Sequence, residues 1–256
     1  MLKRTTVLLY GVISYSLFLI SYLYAIGFVG NFAVPRSIDS EAVVPLGTAL
    51  IVNLVLLGVF AIQHSVMARP AFKKWFTRIV PQHIERSTYV LLASVLLIAL
   101  FVLWQPMGGV IWQVTDPEGQ AALYTAFATG WLVVLVSTFL INHFDLFGLR
   151  QVWLYFRGKP YTTLKFRTPW LYRHVRHPLY VGWLLAFWAT PTMTVAHLVF
   201  AVATTVYILI AIQFEERDLV SEHGASYANY RQQVPMLIPS YRRRIKRPSA
   251  AVQVAG

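Results

Sequence analysis

The chain has no cysteine. That removes disulfides, thiolate metal ligands and a cysteine nucleophile from its chemistry. Charge is scarce as well: only 12% of the 256 residues are Asp, Glu, Lys or Arg, against about 25% in an ordinary soluble domain. No polar stretch is long enough for a separate soluble domain, so residues 1–256 read as one integral unit. There is no G-x-G-x-x-G or G-x-x-x-x-G-K-[ST] loop to cradle phosphates. Internal repeats and low-complexity segments are absent too.

What the chain does have is apolar length. Hydrophobic residues make up 57% of it and fall into uncharged segments, roughly Thr5–Val34, Val43–Met67, Ser87–Val114, Gly119–Asn142 and Leu179–Phe214. Crossing a bilayer takes about 20 residues of helix. The expected fold is therefore all-α, a polytopic membrane helix bundle. Lys3 and Arg4 ahead of the first run look like the start of a signal peptide. The run continues to Val34 without a small-residue cleavage pattern, so it reads as a first membrane helix.

The last segment is too long for one crossing. As a single helix it would measure about 54 Å against a hydrocarbon core of about 30 Å. Thr190-Pro191-Thr192-Met193-Thr194 sits near its middle, and proline disfavours helix at the residue before it. A helical hairpin is expected, with arms Leu179–Ala189 and Val195–Phe214.

Every Lys and Arg except Arg36 lies near the N-terminus, between Ala68 and Arg86, between Phe144 and Pro178, or from Glu215 onward. By the positive-inside rule these segments face the cytoplasm. The expected topology has four crossings followed by the hairpin, with both termini cytoplasmic. The same rule accounts for the net charge of +12. The run Arg242–Arg247 suits anionic headgroups, so membrane lipids are expected partners. No aromatic residues interleave with it as stacking platforms, so nucleic acid is not an expected partner.

Two dense polar clusters flank the hairpin. The first is RHPLYVG at Arg176–Gly182. Pro178 marks a helix start, where free backbone N–H groups favour an anion. Arg176 adds positive charge, Tyr180 a hydroxyl, and Gly182 lets a neighbour or ligand approach the backbone. Such residues also occur at ordinary juxtamembrane helix starts. The second cluster is EERDL at Glu215–Leu219. Two adjacent acids at a helix C-terminus oppose its macrodipole and need a cationic partner, from the protein or from a ligand. A third cluster, His143 and Asp145, ends the fourth crossing and offers a base with an orienting carboxylate, or plain interhelical hydrogen bonding. Gln63-His64 ends the second crossing and suits polar packing. A metal centre is not expected: His174 and His177 have no second pair at ligand spacing.

These residues carry a resemblance. RHPLYVG, EERDL one hairpin later and YANYRQQVPMLIP at Tyr227–Pro239 fill the pattern R-H-P-x-Y-x-G, E-E-x-x-L, Y-x-x-Y and proline. That pattern belongs to the integral-membrane methyltransferases of the isoprenylcysteine carboxyl methyltransferase and phospholipid methyltransferase group. QHSVMARPAFK at Gln63–Lys73, ERSTYVLLAS at Glu85–Ser94 and NHFDLFGLRQVW at Asn142–Trp153 look like its nurim-like branch. Within that branch the chain is similar to bacterial enzymes that methylate methanethiol to dimethyl sulfide.

The resemblance implies S-adenosylmethionine as methyl donor, a small thiol as acceptor and a place in the bacterial inner membrane with the site at the cytoplasmic face. It implies a donor site built from Arg176, His177, Pro178, Tyr180 and Gly182 on one arm, and Glu215 and Glu216 on the other. Tyr227 and Tyr230 would close over it. His143 with Asp145 is the candidate base. Residues 1–143 then form the four-helix part, 144–240 the loop, hairpin and donor region, and 241–256 a basic tail. Two alternatives stay open: another membrane-accessible acceptor (a prenylated thiol or carboxylate, a phospholipid or an isoprenoid), or a non-enzymatic membrane protein on the same scaffold.

Overall fold

A computed structural model describes residues 1–164 and 166–239. The basic run Arg242–Arg247 and the tail from residue 241 lie outside the described residues. In chain order the elements are α1 (Leu2–Gly30), α2 (Leu46–Ala68), α3 (Pro70–Phe76), α4 (Gln82–Leu103), β1 (Val110–Gln113), α5 (Pro117–Ile141), α6 (His143–Leu146), α7 (Leu149–Phe156), α8 (Pro178–Trp188), β2 (Thr192–Thr194), α9 (Val195–His223) and α10 (Ala225–Gln233). The protein is predominantly helical. Helices α1, α2, α4, α5 and α9 are long and apolar enough to cross a membrane. Many of their large apolar side chains face outward, among them Ile13, Leu23, Ile51, Ile62, Leu132 and Ile210. A water-soluble monomer rarely exposes so much contiguous apolar surface, whereas lipid is a good solvent for it.

Local chemistry sets the boundaries. The Asp116 side chain accepts from the Gly119 amide at 2.6 Å and caps α5, with Pro117 at the first helical position. Asn142, with φ 145°, breaks the chain between α5 and α6. Pro178 starts α8, and Thr194 caps α9 by accepting from the His197 amide. The core is largely aromatic: Phe28, Phe101, Trp104, Phe127, Trp131, Phe187 and Phe200 are buried together.

The hairpin has the expected arms, but its turn is not a simple loop. Residues Thr192–Thr194 form β2, which pairs antiparallel with β1. The third apolar segment, read as continuous to Val114, leaves the helix at Leu103 and supplies β1 instead. Buried peptide groups that leave a helix need partners. The Val114 amide donates to Pro191 O at 2.9 Å, the Val195 amide to Gly109 O at 3.1 Å and Trp112 Nε1 to Thr190 O at 3.2 Å. Asp39 joins the same end, held by Thr194 and by Asn31 Nδ2 at 2.7 Å.

Helices α5 and α8 cross at backbone contact. A Cβ on Gly182 would lie 2.7 Å from Gly130 O and 2.8 Å from Val134 N; one on Gly130 would lie 2.6 Å from Ala186 N. Gly182 therefore admits a neighbouring helix.

Candidate functional site

The two clusters at the hairpin's ends meet. Glu216 is 6% exposed, and its Oε1 accepts from Arg176 Nε at 2.7 Å and from His177 Nε2 at 3.0 Å. Its Oε2 faces Arg231 Nη1 at 3.8 Å. The neighbouring Glu215 points elsewhere. Its side chain is 40% exposed, accepts from the Tyr180 hydroxyl at 2.9 Å and lies 3.9 Å from His177 Nδ1. One acid is thus consumed inside the protein, and the other keeps acceptor capacity for a ligand.

Arg176 is consumed as well. Its Nη1 donates to Arg231 O at 2.9 Å and to Val234 O at 2.6 Å, besides the bond to Glu216. The backbone repeats the connection: the amides of Arg176 and His177 donate to the carbonyls of Pro235 and Met236 at 2.9 and 3.2 Å. The guanidinium locks the chain after α10 onto the start of α8 and is not a free anion clamp.

Tyr227 and Tyr230 stand over this ion pair on α10. Gly224, with φ 55°, turns the chain between α9 and α10 where other residues would be strained. The Tyr230 hydroxyl donates to Tyr172 O at 2.6 Å. Burial pushes its ionisation up to about 12. Tyr227 is 2% exposed, and its hydroxyl is buried without a hydrogen-bond partner among the described residues. Burial and then the nearby Glu216 and Glu215 carboxylates raise the Tyr227 ionisation further, so the hydroxyl stays a neutral donor. A buried polar group left unpaired costs about 1–3 kcal/mol, which a ligand can recover. Phe166 packs on both tyrosine rings, at 5.7 and 5.6 Å.

His143 sits apart, in a nest of rings from α1 and α5. Phe139 stacks on it at 4.2 Å. Thr138 Oγ1 donates to Leu135 O at 2.6 Å and so meets His143 Nδ1, 2.8 Å away, as an acceptor. The Tyr15 hydroxyl takes the other nitrogen, Nε2, at 2.8 Å. The expected orientation by Asp145 is not found. Asp145 accepts from Arg150 Nη1 at 2.8 Å and from the Tyr161 hydroxyl at 3.3 Å, because the turn at Gly148 brings α7 back over it.

Burial lowers the His143 pKa from its ordinary value. The neutral ring is therefore favoured in the fold. The stability this provides is complete above the unfolded value of 6.5 and is lost as pH falls below it, until the folded ring protonates. Thermal unfolding between about pH 7.5 and pH 5 should show a falling midpoint that His143→Gln flattens. A slope unchanged in that variant would remove the assignment.

Arg231, Phe166 and Tyr172 belong to the site without having been singled out. Arg231 follows Tyr230 directly in the YANYRQQVPMLIP stretch, whereas Phe166 and Tyr172 lie in a loop and a short helical turn without a spacing signal, and only the folded chain brings them to the acids.

A helical bundle of membrane-length spans, with a closed ionic and aromatic cluster at one rim, defines an integral-membrane protein with a buried polar site. Two methanethiol S-methyltransferases are similar along nearly the whole chain. The one from Crocosphaera subtropica is 61% identical over 238 residues, 93% of each chain. That from Mycobacterium tuberculosis is 58% identical over 238 residues, 93% of this chain and 98% of its own. Nurim from Bos taurus is 30% identical over 189 residues, 71% of this chain and 70% of its own. No family model matches the chain, and no solved structure does. The chain belongs to the methanethiol S-methyltransferase family.

Proposed function

We propose that the protein transfers a methyl group from S-adenosylmethionine to methanethiol, giving dimethyl sulfide. The observation that carries this reading is the closure of Arg176–Tyr180, Glu215–Glu216 and Tyr227–Tyr230 into one cluster, in a chain that shares so much sequence with enzymes of that name.

The residues present fit the donor. It carries an ammonium group, a sulfonium, a carboxylate and an adenosine. Glu215 has a half-exposed carboxylate for a cationic or hydroxyl group, and Tyr227 has an unpaired hydroxyl for an acceptor. Phe166, Tyr227 and Tyr230 offer ring faces to a purine or a sulfonium. When bound, the donor supplies a methyl group activated by positive sulfur. The protein's own part is to exclude water, orient the donor and bring the acceptor into line. Arg176, His177 and Glu216 brace this site, while Glu215, Tyr180 and the two tyrosines of α10 touch the donor.

Topology supports a cytoplasmic site. The cluster stands at the end of the bundle where the basic connectors gather, tied by Asp218 to Arg69, the residue that follows α2, at 2.7 Å. On this reading four crossings precede the hairpin, both termini face the cytoplasm, and the membrane is the bacterial inner membrane.

Membranes containing the protein, given methanethiol and methyl-labelled donor, should yield labelled dimethyl sulfide. Donor binding without that product would move the acceptor to another class, and absence of donor binding would overturn the reading. Tyr180→Phe removes only the bond to Glu215. It should weaken donor affinity by roughly tenfold in calorimetry with little change in melting temperature, in line with one hydrogen bond to a charged group. Unaltered affinity would remove Tyr180 from the site.

A further inference from the structure

A second polar group lies beside the donor cluster and is not explained by it. On α2, His64 is half-buried and stacks on Phe60 at 5.3 Å. The Tyr89 hydroxyl of α4 faces both of its ring nitrogens at 3.0 Å. Next along α2, the Ser65 hydroxyl meets the Tyr207 hydroxyl of α9 at 3.2 Å. Tyr207 and Tyr89 are in turn electrostatic neighbours of Tyr180, the residue that binds Glu215. The side-chain oxygen of Gln63 (Oε1), one residue before His64, is buried and has no hydrogen-bond partner among the described residues. Helices α2, α4 and α9 therefore bring polar side chains together, and Tyr180 of α8 lies near enough to sense two of them electrostatically. An ionisable side chain within a membrane segment defaults to a functional role.

We infer that His64, positioned by Tyr89, takes the proton from the acceptor thiol where α2 and α4 meet beside the donor cluster. The inference rests on the methyl-transfer reading above. A thiol is a weak nucleophile until ionised. The S–H bond breaks, the proton goes to a ring nitrogen of His64, and the electron pair stays on sulfur. That sulfur bonds to the methyl carbon of the sulfonium donor as the old carbon–sulfur bond opens, its pair passing to the donor's sulfur. The proton on His64 then leaves to water.

Two features favour His64 over His143. Both nitrogens of His143 have separate partners within its own aromatic nest. His64 shares one hydroxyl between two nitrogens, so a single partner serves either tautomer and one nitrogen is free to turn to substrate. Among the described residues, Arg69, which follows α2, and Arg86 on α4 are the charged groups that face His64. Tyr89 is a positioning residue, and His64 is the group that touches the acceptor.

Wild type, His64→Ala, Tyr89→Phe and His143→Ala are compared in detergent. Binding of S-adenosylmethionine is read by calorimetry, and methanethiol turnover is followed from about pH 6 to about pH 10. His64→Ala should bind the donor like wild type and lose roughly 100-fold or more in kcat near neutrality, the usual scale of a lost base. The loss should shrink by roughly tenfold per pH unit as solvent ionises the thiol. Tyr89→Phe should lose roughly tenfold with the same trend. Unchanged turnover, or a loss constant across pH, would overturn the inference. So would a pH-rescued loss in His143→Ala instead. Should His64→Ala fail to bind donor, the Tyr89→Phe profile decides, and a flat one overturns the assignment. A wild type that neither binds donor nor methylates methanethiol would instead defeat the underlying methyl-transfer reading.

Discussion

Replacing Glu216 by alanine is expected to abolish donor binding and to destabilise the protein together. The side chain is 6% exposed and is the shared acceptor for Arg176 and His177. Removing one partner of a buried pair leaves an uncompensated cation, which typically costs about 3–5 kcal/mol. Arg176 also holds the carbonyls of Arg231 and Val234, so the loss spreads to the chain beneath the two tyrosines. Calorimetry should show no donor binding, and the unfolding midpoint should drop by several degrees. Glu215→Ala separates the two effects. Its carboxylate is half-exposed, so donor affinity should fall while the midpoint stays within about a degree. If Glu216→Ala keeps wild-type affinity, or if Glu215→Ala unfolds the protein, the division of labour between the acids is wrong.

The second large effect is expected far from any charge. Gly182→Val places branched atoms where the α5 backbone already lies, with Gly130 O at 2.7 Å and Val134 N at 2.8 Å from the first added carbon. Those atoms cannot move aside as a flexible side chain would. Overpacking usually costs about 1–3 kcal/mol, and a clash of backbone with backbone falls at the upper end or beyond. Helix α8 must lift from α5, carrying His177 and Tyr180 away from their acids. Folded yield and donor binding should fall together, and Gly130→Val should behave alike from the opposite side. Gly58→Ala in α2 is the control: nothing lies within 4 Å of its added carbon, so it should be neutral or stabilise by about 0.5–1 kcal/mol. Normal donor binding by Gly182→Val would show that the crossing does not position the site.

Much of this frame was legible before any coordinates. Pro191 and the length of the last apolar segment required a break, and the arms Leu179–Ala189 and Val195–Phe214 lie close to α8 and the membrane part of α9. The prospect that RHPLYVG would meet EERDL follows from that break together with the one-sided distribution of Lys and Arg. What lay beyond reach was the choice among partners. Two acids, Glu215 and Glu216, and two cations, Arg176 and Arg231, permit several pairings, and the helical phase decides that Glu216 faces inward while Glu215 stays open. Asp145 was paired in expectation with His143, its near neighbour in sequence, but α7 folds back and delivers Arg150. The strand pair was hidden because Val110–Gln113 is as apolar as the helix before it, and β1 is fixed by peptide groups from residues 190–195 that have nowhere else to bond. In sequence Gly182 leaves room for either a neighbour or a ligand, and only Gly130 and Val134 opposite it show that a helix takes that room.

The bonds from Arg176 and His177 to the carbonyls of residues 231–236 also set an order of assembly. A ribosome delivers the chain from its N-terminus. The frame of α1, α2, α4 and α5 can therefore be in the membrane while Arg176 still has no counter-ion. Glu216 arrives forty residues later than Arg176, and the carbonyls that hold the guanidinium arrive later still. Catalytic competence is thus one of the last properties the nascent protein acquires, and a chain arrested before Val234 would insert its spans yet lack a closed binding site.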